Sequence, residues 1–415
     1  MKWWTEARFG MFIHWDMSSV AGTEISWSRQ SARPLDVDKA PAGYVEDPAY
    51  DQLYQRFNPT KFDATEWVRL AKAAGMKYII FTAKHHGGFC MWDTKLSTYS
   101  IMNSPFKRDV VKELADACHK ADMPLGLYYS PRDWHQPDYG VGDNSKYTAY
   151  FKGQLTELLT RFGKIDCLWF DGFGAGDSIQ FWHADEILAL VRRLQSHIVI
   201  NNRCANLWFP GNNPPGVPPS LAGDHDTPEG TIGVFQNNRP WETCHMIINT
   251  PGGYAWSYRS DQTSIRSFSE CTQMLTSCAT GDGNLLLDVG PNALGEIPAD
   301  QAKRLREMGA WMWENGESIY GTRGGPFRNG KWGGATYQGN TIYLHVFQWN
   351  GDRLVLPPLR AKITQCSVEF KQTSAGISLT LPADQQNKID TVVTLKLSAP
   401  AANEMENGQP LAVEK

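Results

Sequence analysis

Two hydrophobic periods alternate along the chain from about Arg8 to Asn315. Short apolar runs read as buried strands: Met11-Phe12-Ile13, Tyr78 to Ala83, Leu125 to Tyr129, Ile165 to Phe170, Ile198-Val199-Ile200 and Leu285 to Val289. Between them lie stretches with apolar residues at helical spacing. Phe62 to Ala74 sets Trp67, Leu70, Ala71 and Ala74 on one face, and Arg108 to Ala121 does the same with Val110, Val111, Leu114, Ala117 and Cys118. Lys146 to Phe162, Ala184 to Ser196, Thr263 to Ala279 and Gln301 to Glu314 read as further helices. Strands that alternate with helices imply a parallel sheet. Seven or eight such units over roughly 310 residues fit a closed barrel better than a doubly wound sheet.

After Tyr320 the texture changes. Gly321 to Pro326 reads as a linker, and beyond it come short alternating runs: Thr341 to Phe347, Arg353 to Leu356, Ser367 to Phe370, Ile377 to Leu381 and Val392 to Leu397. These predict a small antiparallel sandwich. The expected chain is of the α/β class, with a (β/α)8-like TIM barrel over 1–322 followed by a C-terminal antiparallel β-sandwich over 323–415.

Three of the barrel strands end on titratable groups. Ile13 runs into His14, Ala83 into Lys84-His85-His86, and Phe170 into Asp171-Gly172. A carboxylate is costly inside a core, so Asp171 belongs at a strand exit facing a cleft. Barrels of this kind hold their chemistry at the C-terminal ends of the strands. Two long irregular stretches interrupt the alternation, Ser31 to about Gln55 and Cys204 to about Arg239. The second carries the acidic cluster Asp224-His225-Asp226-Thr227-Pro228-Glu229. Long loops in compact domains are usually functional or disordered.

Composition narrows the function. With 415 residues the chain can bury two cores. A net charge of -4 with no basic stripe argues against nucleic acid as a partner. No run of 18 apolar residues is present, so no membrane span is expected. No G-x-G-x-x-G follows a strand and there is no Walker motif, which disfavours a nucleotide cofactor. The eight cysteines include no C-x-x-C pair. Cys90, Cys167 and Cys244 read as core thiols, with little support for zinc or a disulfide framework. Aromatic residues make up 12% of the chain and include 16 Trp. They serve either a large core or the walls of a sugar site. Met1-Lys2-Trp3-Trp4 has no charged n-region, apolar h-region or cleavage site. The expected compartment is therefore the cytoplasm, or the periplasm or exterior if a leader has been removed.

A site at the barrel mouth would gather His14, His85, His86, Tyr129, Trp169, Asp171, Trp256 and an acidic residue of the second loop. Two carboxylates in an aromatic cleft point to glycoside hydrolysis. Each residue also has a structural reading. Asp171 suits a helix N-cap. His85-His86 suits one core and one surface histidine, since strand neighbours point to opposite faces. There is no H-E-x-x-H, so hydroxyl binding is the better role for the histidines than a metal.

Arg8-Phe9-Gly10-Met11-Phe12-Ile13-His14-Trp15, Ala83-Lys84-His85-His86, Leu168-Trp169-Phe170-Asp171-Gly172, Trp241-Glu242-Thr243-Cys244 and Asn284 to Pro291 carry a specific resemblance. In order, from Trp3 to about Tyr320, the chain resembles the α-L-fucosidases of glycoside hydrolase family 29. The resemblance implies a (β/α)8-like barrel with a C-terminal sandwich. It also implies hydrolysis of α-L-fucosides with retention, no metal and no cofactor. The expected partner is a fucosylated oligosaccharide or glycoconjugate. The same resemblance makes Asp171 the nucleophile and gives His14, His85 and His86 to the sugar hydroxyls. Tyr129, or else Tyr128, falls in the family's pocket tyrosine region, with Trp27, Trp169 and Trp256 around the sugar. Glu229 is the expected acid/base, its proton affinity raised by Asp224 and Asp226, with Glu242 the alternative acid or a substrate ligand. Two positions depart from the family pattern. Gly87 stands where many relatives have Asp, and Ser26 stands where many have Glu, so Glu24 is the carboxylate left to hold a hydroxyl. These departures keep two other readings open, a non-catalytic fucose-binding protein on the same fold and a related α-glycosidase with shifted sugar specificity; a hydrolase with a metal on His85 or His86 is a further alternative. In the sandwich, Trp332, Tyr337 and Trp349 are the aromatics that a carbohydrate-binding role would use.

Overall fold

A computed structural model describes residues 1–29, 45–172, 182–205, 222–232, 234–249, 255–261 and 264–413. Parts of both long irregular stretches lie outside this set.

The barrel sheet contains β1 (Phe9–Ile13), β2 (Ile79–Lys84), β3 (Leu125–Tyr129), β4 (Cys167–Phe170), β5 (Val199–Ile200), β6 (Glu242–Met246) and, after the short pair β7 (Ile248–Asn249) and β8 (Ser264–Ile265), β9 (Asn284–Val289). Its order is β5-β4-β3-β2-β1-β9-β6, and every pair is parallel. The gap between β5 and β6 is closed by an irregular strand at 224–230. Parallel bridges join Asn201 to His225, Asp226 to Trp241 and Glu229 to Cys244. The Asp224 N–H donates to the Ile200 carbonyl at 2.6 Å, and the Glu242 N–H to the Asp226 carbonyl at 2.9 Å. Counting this segment, eight strands close the barrel. The acidic cluster is therefore barrel wall, not a loop folded over the mouth. Its polar residues, and Pro228 with no N–H to give, hide the strand from any periodicity.

Alternation along each strand sorts the side chains into two cores. Phe9, Met11, Ile13, Leu125, Leu127, Tyr129, Leu168 and Phe170 face the surrounding helices. Phe12, Tyr128, Cys167, Trp169, Cys244 and Leu286 fill the barrel interior, with Trp256 joining them from beyond β6. The helices Ala64–Ala73, Val110–Lys120, Ser145–Arg161, Ala184–Leu194 and Ala299–Asn315 fall within a few residues of the expected ones. One expected helix starts later than its pattern. Ser267 and Glu270 form a reciprocal capping box, so the helix spans Phe268–Thr280, and Ser264–Ile265 pairs with β7 instead.

The sandwich is built from β10 (Arg323–Gly324), β11 (Gly333–Gln338), β12 (Thr341–Val346), β13 (Arg353–Leu356), β14 (Ile363–Cys366), β15 (Glu369–Thr373), β16 (Gly376–Thr380) and β17 (Thr391–Leu397). One sheet has the order β10-β11-β12-β17-β14 and the other β13-β16-β15. Ile342, Leu344, Leu354, Leu379, Val393 and Leu395 fill the space between them. The junction with the barrel is polar and tight. Asp282 accepts from Arg8 at 2.6 Å, from Arg323 at 2.9 Å and from the Gly324 N–H at 3.0 Å.

Candidate active site

A narrow cavity opens at the C-terminal ends of the barrel strands. Phe12, His14, Glu24, Trp27, His85, His86 and Tyr128 line one part of it, and Trp169, Asp171, Arg203, Glu229, Cys244 and Trp256 the rest. Asp171 leaves the end of β4, and Gly172 follows with a φ of +84°. A Cβ at Gly172 would lie 3.0 Å from Arg132 and 3.1 Å from His86, so the turn behind Asp171 needs glycine for both conformation and space.

Asp171 is held from two sides. The Tyr128 hydroxyl donates to Oδ2 at 2.9 Å, and Arg203 Nη1 donates to Oδ1 at 2.9 Å. The same Arg203 nitrogen lies 2.8 Å from Glu229 Oε2. Arg203 is fixed in turn by Thr227, which takes Nε at 3.0 Å and Nη2 at 3.2 Å, and its guanidinium sits 4.5 Å above the Trp169 ring. Burial works against its charge, but Glu229 and Asp171 more than offset this and hold its pKa above the ordinary arginine value. Asp171 and Glu229 remain partly exposed, at 14% and 20% of their side chains, so both reach the cavity.

The three histidines are buried and neutral. Desolvation holds His14 and His86 well below the ordinary imidazole value, with neighbouring histidines and arginines adding to the effect. Burial pushes His85 down to about 3 against the pull of Asp171. His14 Nδ1 shares a 2.7 Å hydrogen bond with Asp288, which leaves Nε2 for a ligand. His86 Nδ1 shares one of 2.6 Å with Ser130. His85 stacks on Tyr128 at 5.3 Å, and its Nδ1 has no partner among the described residues. Neutral imidazoles with a free nitrogen donate to or accept from hydroxyls.

At the first loop Glu24 is the carboxylate that lines the cavity. Its Oε1 accepts from the N–H groups of Trp256 at 3.0 Å and Ser257 at 3.3 Å, while its buried Oε2 has no partner among the described residues. Burial outweighs those two donors and pushes its pKa up to about 8. Ser26 does not line the cavity. Its hydroxyl accepts from the Gly87 N–H at 2.7 Å, and a Cβ at Gly87 would lie 3.0 Å from that oxygen. The two departures from the family pattern thus touch each other.

Several expectations need correction. Tyr129 is not in the cavity. It faces the outer core, stacks on Phe151, and its hydroxyl donates to Gln154 at 2.6 Å. Alternation along β3 makes Tyr128 the inward tyrosine. Glu242 is not in the cavity either. It lies buried beneath, accepting from the Tyr78 hydroxyl and from the Trp169 indole N–H at 3.1 Å. It positions Trp169. Asp224 and Asp226 do not act on Glu229 as free charges, because each is paired with an arginine, Asp224 with Arg192 at 2.7 Å and Asp226 with Arg239 at 2.6 Å. His85 and His86 are not split between core and surface. They lie past the end of β2, where strand alternation no longer applies, and their rings are 4.2 Å apart. Trp27, Trp169, Trp256, His14 and Asp171 line the cavity where expected. Arg203 was missed, yet it follows Ile198-Val199-Ile200 by three residues, the same strand-exit signal that singled out Asp171.

His85, His86 and Asp171 each offer an atom within 4.8 Å of the others, a spacing that a metal ion also accepts. Against this, both Asp171 oxygens are engaged, one by the Arg203 cation. A positive charge at 2.9 Å repels a second one.

A (β/α)8 barrel that brings two carboxylates together among neutral imidazoles and indoles has the build of a glycoside hydrolase. Comparison with known proteins narrows the class. The family model for α-L-fucosidase matches residues 1–317. The plasma α-L-fucosidase of Rattus norvegicus is 31% identical over 337 residues, covering 77% of this chain and 70% of the rat protein. Among solved structures, α-L-fucosidase isoenzyme 1 from Paenibacillus thiaminolyticus is 31% identical with a TM-score of 0.83, covering 96% of this chain and 98% of that one. The Thermotoga maritima α-fucosidase, solved with a mechanism-based inhibitor, is 26% identical with a TM-score of 0.76, covering 95% and 96%. The chain belongs to the α-L-fucosidase family, a family of glycoside hydrolases.

Proposed function

We propose that this chain removes terminal α-L-fucose from fucosylated glycans with net retention, through a covalent fucosyl-enzyme. The observation that carries the mechanism is the shared Arg203 contact. Asp171 Oδ1 and Glu229 Oε2 both touch Nη1, so these oxygens lie within about 6 Å of each other, near the spacing of retaining enzymes and short of the wider inverting one. Asp171 attacks the anomeric carbon as Glu229 gives its proton to the departing oxygen. Glu229 then takes a proton from water, which attacks the same carbon and frees Asp171. Arg203 and Tyr128 aim the Asp171 oxygens and need no motion to do so.

Binding falls to the neutral groups. His14, His85 and His86 meet hydroxyls, and Oε2 of Glu24 takes another. Trp27, Trp169 and Trp256 offer flat apolar walls to the ring and its methyl group. A narrow cavity of this kind suits one terminal sugar.

Proton NMR of the first product tests the stereochemistry. The α anomer of L-fucose should appear before mutarotation when 4-nitrophenyl α-L-fucoside is cleaved. First appearance of the β anomer would remove the covalent intermediate from the account.

A further inference from the structure

A second cavity lies on the C-terminal sandwich and shares no lining residue with the active site. It encloses about 1110 Å³ between the turn before β11, the turn after β12, the start of β13 and the last described residues, Ala412 and Val413. This is slightly above the usual range for small-molecule sites and leaves room for more than one sugar ring. Trp332 and Trp349 form its walls. Each packs one side against the sandwich core, and each has its indole N–H fixed, Trp332 by the Arg328 carbonyl at 3.0 Å and Trp349 by Thr391 at 3.4 Å. The rings are thus held in place before any ligand arrives, which lowers the entropic cost of binding.

The charges around these rings are of one sign. Arg328, Lys331 and Arg353 line the cavity, and no carboxylate does among the described residues. Arg353 donates to the Ser378 hydroxyl at 3.2 Å, while Arg328 and Lys331 have no side-chain hydrogen bond or ion pair among the described residues. Three cations facing one space on a chain of net charge -4 are not explained by the fold. A second hollow of about 590 Å³, lined by Arg266 and Glu270 among others, shares Gly330, Lys331 and Gln348 with the first and reaches Ile232, three residues past Glu229. The surface therefore continues from the sandwich to the outer wall of the barrel beside the acid/base strand.

We propose that this cavity is a secondary binding site for an acidic glycan chain, one bearing sulfate or carboxylate groups. The two indoles would stack on sugar rings, and Arg328, Lys331 and Arg353 would take the anionic groups. Single-stranded nucleic acid shares some of this chemistry. The overall negative charge and the confined cavity, which offers no extended basic track, favour the glycan.

Affinity electrophoresis of the full chain through gels containing dextran sulfate, polygalacturonate or neutral dextran tests the idea without relying on catalysis. Retardation by dextran sulfate and not by dextran is expected. Polygalacturonate retards as well if carboxylates suffice, and does not if sulfate is required. The exposed double variant Arg328→Gln/Lys331→Gln should weaken binding at least about tenfold. Trp332→Ala should weaken it too, with a thermal melt confirming that the variant is folded. Hydrolysis of 4-nitrophenyl α-L-fucoside should be unchanged in the double variant. No retardation of the wild type, equal retardation of the double variant, retardation by dextran alone, or tighter binding to single-stranded DNA would each overturn the proposal.

Discussion

Glu24→Gln separates the electrostatic part of this account from everything else. Glu24 is buried, and its pKa stands at about 8 in the folded chain against an ordinary 4.5. Below pH 4.5 both folded and unfolded chains hold the proton, and nothing is lost. Between 4.5 and 8 the folded chain keeps a proton that the unfolded chain has released, so rising pH favours unfolding. At about 1.4 kcal/mol for each tenfold in proton affinity, the full penalty above pH 8 is on the order of 5 kcal/mol. Asp16, pushed up to about 6 by its own burial, titrates over part of the same range, so the wild type alone does not isolate the effect. The difference between wild type and Glu24→Gln does, because the amide keeps the shape and cannot ionise. Urea unfolding followed by tryptophan fluorescence at pH 5 and pH 8.5 reads it. The wild type should lose several kcal/mol more than the variant over that interval. The same variant should retain most of its activity below pH 7, whereas Glu24→Ala, which strands two buried N–H groups and removes the sugar contact, should lose roughly tenfold to a hundredfold. Parallel unfolding curves for wild type and Glu24→Gln would refute the reasoning.

Other consequences follow from single contacts. Tyr128→Phe removes a hydrogen bond to a charged oxygen and should lower kcat/KM by roughly tenfold to a hundredfold, while Tyr129→Phe should leave it nearly unchanged. Equal effects in steady-state assays would mean that the inward tyrosine has been misassigned. Glu242→Ala removes the shared acceptor of the Tyr78 hydroxyl and the buried Trp169 N–H, and should cost about 2–4 kcal/mol in thermal or urea unfolding besides slowing turnover. Prolonged treatment with a chelator should not change the rate on 4-nitrophenyl α-L-fucoside. A loss restored by added zinc would revive a metal on His85, His86 and Asp171.

Much of this was legible in the chain, for physical reasons. The apolar runs at β1, β2, β3 and β4 are strong because strands buried on both faces need no polar positions, and their ends named His14, His85, His86 and Asp171. The sixth strand was invisible because 224–230 is polar and contains Pro228. Hydrogen bonds to its neighbours, not a hydrophobic face, place it in the wall. Which of Tyr128 and Tyr129 faces inward depends on register, and two adjacent tyrosines give no clue to it. Glu242 looked like chemistry because a buried carboxylate and a catalytic one read alike until their partners are known. Arg203 carries the same strand-exit signal, but an arginine is most often a solvated surface charge, so its residue type alone does not mark a site. In the sandwich, the two-residue β10 lies inside the segment that reads as a linker, and β11 and β14 were missed because Gly333-Gly334 opens one and exposed polar residues fill the other.

The central claim is that Asp171 attacks the sugar. Release of 4-nitrophenol by wild type and Asp171→Ala, with and without sodium azide, tests it most directly. The account predicts activity in the wild type, a loss of several orders of magnitude in Asp171→Ala, and recovery with azide that yields β-L-fucosyl azide, since the small anion attacks the face the carboxylate has vacated. Near-normal turnover by Asp171→Ala, or rescue that gives the α azide, would contradict it.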